Sequence, residues 1–130
     1  MNENQPEWKT WLKYAEEDLN SAIALSKTME QFPRNVCYLC QQSTEKAIKS
    51  IFVFFNIPFP RKHDLELLYD NLPEECKRKI YLEGLSDLTE WAIEIRYPGE
   101  TPLPEETEMN EAIQFAKKNY STIISYLETE

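Results

Sequence analysis

Apolar residues recur at three- and four-residue steps along most of the chain, which is the spacing of one helix face. Trp8, Leu12, Ala15, Leu19, Ala22, Ile23 and Ser26 form the first stripe. It predicts a helix over 5–29, with Pro6 in its first turn and Lys13, Glu16, Glu17 and Asn20 mostly on the opposite side. Thr28–Phe32 reads as a turn, and Pro33 starts the next helix, over 33–55. The second half of that helix is apolar nearly all round: Ala47, Ile48, Ile51, Phe52, Val53, Phe54 and Phe55. Such a helix belongs at the centre of a bundle or at an interface. Asn56 suits a left-handed helix end, and Pro58 prevents continuation.

A short helix is expected over 63–71, with Leu65, Leu68 and Leu72 inward. Pro73 opens another, with Glu74 and Glu75 at its positive end. Leu85, Leu88, Ala92 and Ile95 predict a helix over 80–95, weakened at its start by Gly84. Three prolines and a glycine make 96–104 a loop. Met109, Ala112, Ile113, Ala116, Tyr120, Ile123 and Leu127 predict a last helix over 105–128. The fold expected is all-α: one domain over 1–130, an antiparallel up-and-down bundle of four to five main helices plus short ones.

Composition sharpens this picture. Gly is scarce, at 2 residues, which disfavours a turn-rich all-β fold. The net charge of −9 leaves no surplus of Lys and Arg for an extended nucleic-acid backbone, although a local basic pocket for one nucleotide remains compatible with it. No apolar run approaches the ~20 residues of a membrane span. Three cysteines and no targeting segment point to a reducing, cytoplasmic setting.

The candidate chemistry is sparse. Cys37 and Cys40 make a C-x-x-C within a helix. A zinc site needs four ligands, and a redox pair sits at a helix start beside a βαβ unit, so these two read as packing residues. No metal or cofactor is expected. His63, the only histidine, stands where a proline-rich loop enters a helix, in Arg61-Lys62-His63-Asp64-Leu65. Either it or Asp64 caps that helix, or it meets a nucleotide or moves a proton. Gln42, Glu45 and Lys49 share a helix face with i, i+3, i+7 spacing, and Glu45–Lys49 is a favourably ordered ion pair. These groups form either a solvated face or a buried polar network. Arg96 ends a helix, where it offsets the dipole or reaches Glu45 or an anion, and Tyr97 adjoins it. Glu105, Glu106 and Glu108 read as helix N-terminal charge. No Gly-rich phosphate loop, G-x-S-x-G or HExxH occurs.

Taken in order, Trp11 with Ala15-Glu16-Glu17-Asp18-Leu19, Cys40-Gln41-Gln42-Ser43-Thr44-Glu45-Lys46-Ala47-Ile48-Lys49, His63-Asp64-Leu65 and Arg96-Tyr97-Pro98 resemble the HEPN family. The resemblance spans nearly the whole chain. It implies an up-and-down bundle, often a symmetric dimer, commonly paired with a small nucleotidyltransferase, and nucleotide binding as a proposed role. Together with the polar face, it leads to a candidate ligand site in which Arg96, Lys49, Lys46 and His63 meet the anion, Gln42 and Glu45 orient them, and Tyr97 packs or hydrogen-bonds there.

One branch of the family contains metal-independent ribonucleases, often toxins, built on Arg, then four to six residues, then His. Here the positions after Arg96 hold Thr101, Pro102 and Leu103, and Arg61 stands only two residues before His63. Loss of such a general acid–base group costs ~100-fold or more. The reading is therefore a non-catalytic, dimeric partner module. The alternatives are a divergent ribonuclease using His63 and Arg96, and a purely structural dimerisation domain.

Overall fold

Pro33 and Asn56 delimit the helix around which everything else is arranged. In the computed structural model, which describes residues 6–92 and 103–130, helix α2 runs Pro33–Phe54. Proline at its first position loses no internal hydrogen bond. At its other end Asn56 is left-handed (φ 56°). The Ile57 N–H reaches the Phe52 carbonyl at 2.8 Å and the Asn56 N–H reaches Val53 at 3.0 Å. These paired bonds satisfy carbonyls that a helix end otherwise leaves bare.

Helix α1, Glu7–Ser26, packs along α2 and buries Leu12, Ala15, Leu19 and Ala22 against it. Helix α6, Glu106–Thr129, packs on both α2 and α1 and buries Met109, Ala112, Ile113, Ala116, Ile123 and Leu127. Glu105 and Glu108 close a capping box at the start of α6, which gives the acidic cluster there its role. Gln31 bonds Glu106 at one end of the bundle, and the Phe55 and Tyr126 rings meet at the other, so α6 runs in the direction of α2. Glu16 meets Tyr120, and α1 is antiparallel to both.

Short helices carry the chain back between α2 and α6. They are α3 (Leu65–Asp70), α4 (Glu74–Lys79) and α5 (Leu85–Thr89), the last followed by a 3₁₀ turn over Glu90–Ala92. Leu65, Leu68 and Leu72 point inward, as their spacing predicts. Asp64 caps α3, accepting the Leu67 N–H at 3.1 Å. The six α-helices of the described residues match the expected all-α bundle, and those residues contain no strand.

The helix expected over 80–95 is different. Residues 80–84 are not helical: Ile80 is extended and Gly84 left-handed, with Ile80 and Leu82 buried and Tyr81 75% exposed between them. A side chain on α6 causes this. Buried Asn119 accepts from the Glu83 N–H at 2.7 Å and donates to the Glu83 carbonyl at 2.9 Å, pairing that residue as a neighbouring strand would. Ile95, at the expected end, lies outside the described residues. We expect Asn119→Ala to cost about 2 kcal/mol, because two backbone groups lose their partner where water is scarce. Urea unfolding measures this, and a loss below about 0.5 kcal/mol, the scale of an ordinary surface change, would show that water replaces the amide.

Candidate functional site

Three residues at four-residue steps on α2 build the site: Gln41, Glu45 and Lys49. Successive turns of a helix stack such residues above one another. Glu45 is the hub and is only 5% exposed. One carboxylate oxygen accepts from Gln41 Nε2 at 2.9 Å and lies 2.8 Å from His63 Nδ1. The other accepts from Lys49 Nζ at 2.9 Å. Gln42 joins through Gln41, donating to its Oε1 at 2.9 Å. The polar face expected from the sequence is therefore a buried network.

The network holds a loop. Gln41 Nε2 also donates to the His63 carbonyl at 3.3 Å, so both the ring and the backbone of His63 are fastened to α2. The Lys49 ammonium lies 5.0 Å from the Phe59 ring centre and 5.9 Å from that of Trp11. Those two rings meet edge to face at 5.9 Å. Lys49 is thus flanked by aromatic faces, which favour a cation with little water around it.

Burial raises the Glu45 pKa, but hydrogen bonds from Lys49, His63 and Gln41, together with the Lys49 charge, outweigh it. The carboxyl lies below its ordinary value and stays ionised. His63 differs from the rest in that its side chain is 68% exposed. Its Nδ1 is committed to Glu45, and no described residue bonds Nε2. The arrangement presents an oriented imidazole to solvent, with exposed Arg61 and Lys62 immediately before it. Among the described residues no hydroxyl or thiol bonds it as a nucleophile would.

The structure brings His63, Lys49, Glu45 and Gln42 together. Lys46 it places elsewhere: one residue round the helix from Glu45, bonded to Asp18 of α1 at 2.7 Å. Arg96 and Tyr97, and with them any pairing of His63 with Arg96, lie outside the described residues. Gln41 is the member that the i, i+3, i+7 reading passed over. Its signal was the four-residue step to Glu45, as informative as the step from Glu45 to Lys49.

Cys37 and Cys40 are fully buried among core residues. Burial, helped by Glu108, pushes the Cys37 thiol up to about 12, and burial pushes Cys40 up as well. Thiols held protonated are poor nucleophiles and ligands, which agrees with a packing role. Among the described residues no group of three or more His, Cys, Asp or Glu is placed to hold a metal ion. No helix among them is long and apolar enough to cross a membrane.

Two solved structures share this architecture. ST0689, an archaeal HEPN homologue, superposes with a TM-score of 0.70 at 24% identity, covering 92% of this chain and 96% of its own. TT1696 from Thermus thermophilus gives 0.69 at 20% identity, covering 93% and 98%. At these identities the likeness is one of fold. No curated protein matches the sequence significantly. The HEPN domain profile matches residues 8–125, nearly the whole chain. With helices, spacing and profile in agreement, the chain belongs to the HEPN domain family.

Proposed function

We propose that this protein is a non-catalytic HEPN partner module that works as a dimer, associates with a small nucleotidyltransferase and binds a nucleotide beside His63. One observation carries the nucleotide part. Glu45 is already neutralised by Lys49, yet it also fixes an imidazole that is 68% exposed. Internal charge balance does not require that ring. A ring aimed by a buried carboxylate, next to Arg61 and Lys62, suits an anion of phosphate size. The non-catalytic part is supported by the sequence, which places Thr101, Pro102 and Leu103 where the ribonuclease motif needs histidine after Arg96. The dimer and the nucleotidyltransferase are carried over from the family.

Native mass spectrometry with nucleoside mono- and triphosphates tests the site. A stoichiometric nucleotide is expected. His63→Ala should weaken it about tenfold, the value of one charge-assisted hydrogen bond, while the melting temperature stays near that of the wild type. No nucleotide retained at millimolar concentration would remove this reading. Co-expression with a small nucleotidyltransferase of the same genome should give one complex on gel filtration, and separate elution would remove that partner.

A second reading has its own support. Gln41 and Glu45 are almost wholly buried and bonded to one another, as residues that lock a loop to a helix would be. On that reading His63→Ala lowers the melting temperature clearly and changes no ligand binding.

A further inference from the structure

Helices α1 and α6 both rest on α2, and a groove of about 550 Å³ lies between them. Its apolar lining includes half-buried Trp8, Phe54, Tyr120 and Ile124. Beyond Glu16, which lies on the α1 rim and meets Tyr120, the two rims carry opposite charge. On α1, Lys9 and Lys13 stand one turn apart, and neither pairs with a carboxylate among the described residues. On α6, Glu128 is exposed and likewise unpaired, and Glu130 beside it bonds Lys79. The helices are antiparallel and Glu16 meets Tyr120, so about two turns further along each helix Lys9 comes level with Glu128.

This charge pattern is self-complementary under one operation. A twofold axis running along the groove turns a second copy face down on the first. It lays the α1 rim of each copy over the α6 rim of the other and preserves the level along the groove. Lys9 of one copy then faces Glu128 of the other, twice, and the apolar lining meets itself. The helices form an antiparallel four-helix layer, and the contact is isologous, as a closed dimer requires. An unrelated helix gains no such doubled match.

We infer that the α1–α6 groove is the surface by which two copies of this chain associate, with Lys9–Glu128 contacts setting their register. The inference rests on the dimeric reading above and locates its interface.

The test is charge exchange, read by native mass spectrometry and light scattering of the full chain between 1 and 100 µM, a concentration span of about a hundredfold chosen to bracket a micromolar dimer. Lys9→Glu and Glu128→Lys each replace two attractions by two repulsions, so each variant should dimerise about tenfold more weakly than wild type. An equimolar mixture should form a heterodimer of near wild-type strength, because both contacts are then opposite in sign. The double variant K9E/E128K should dimerise like wild type. Both positions are exposed, and circular dichroism confirms the fold. A wild-type dimer indifferent to all three variants would overturn the groove and leave the dimer standing. A wild-type monomer throughout the range would overturn both. Single variants that weaken the dimer without rescue in the mixture would overturn the twofold register.

Discussion

Glu45→Ala should cost about 3 kcal/mol of stability, because it removes one partner of a buried ion pair and leaves the other behind. Lys49 stays in place, its side chain only 14% exposed, with aromatic rings in place of a counter-charge. Gln41 and His63 lose their acceptor in the same step. For a domain of this size that loss corresponds to roughly 12 °C in melting temperature. Changing both charged residues to Met should recover at least half of it, since a well-packed apolar pair often replaces a buried ion pair at little cost. A loss below about 1 kcal/mol for Glu45→Ala would mean that water reaches the cluster freely and that the network holds nothing.

The same carboxylate gives a signature in pH. Its folded-state pKa lies below the ordinary value of 4.5. A group depressed on folding contributes stability above its unfolded pKa, and the contribution is lost as pH falls through the folded value. Wild type should therefore exceed Glu45→Gln in stability at neutral pH, and the gap should narrow below about pH 4.5. Other carboxylates titrate in that range, so the readout is the difference between the two proteins. A gap that is constant from pH 7 to acid would show that folding does not lower the Glu45 pKa and that the network does not favour its charge.

The long helices were legible because each wears its stripe in consecutive turns. Leu12, Ala15, Leu19 and Ala22 need no distant information to be read as a face, and Pro33 and Asn56 mark the ends of α2 chemically. Residues 80–84 were not legible for the converse reason. Ile80 and Leu82 alternate with Tyr81 and Glu83, but the helical spacing of Leu85 and Leu88 just beyond hides so short a pattern. Asn119 of α6 decides the conformation, and nothing local announces it.

The site divides in the same way. Glu45 and Lys49 are an i, i+4 pair on one helix and show in the sequence. The contact from His63 to Glu45 depends on how a proline-containing loop returns to α2, and the partner of Lys46 sits on another helix. Neither has a local signal. A heptad-like step drew attention to Gln42, whereas the buried contact belongs to Gln41, one residue round the helix.

Gly84→Ala should also cost about 3 kcal/mol, for two separable reasons, backbone strain and overpacking. Gly84 has φ 66°, where an alanine is strained by about 1 kcal/mol. A Cβ at that position would also fall within the Phe115 ring of α6, so the ring must move. Phe115→Ala removes the obstruction and leaves the strain. Gly84→Ala made in that background should therefore cost only about 1 kcal/mol, and the cycle should show about 2 kcal/mol of coupling. Equal cost in both backgrounds would assign the whole effect to the backbone; no cost in either would mean that the turn is not held as described. The consequence reaches the site. Gly84 begins α5, whose Thr89 hydroxyl accepts the Leu65 N–H at 3.0 Å, two residues beyond His63. Moving α5 moves the anchor of the loop that presents the imidazole. Gly84→Ala should thus weaken nucleotide retention more than Asn71→Ala, an exposed change at the C-terminal end of α3.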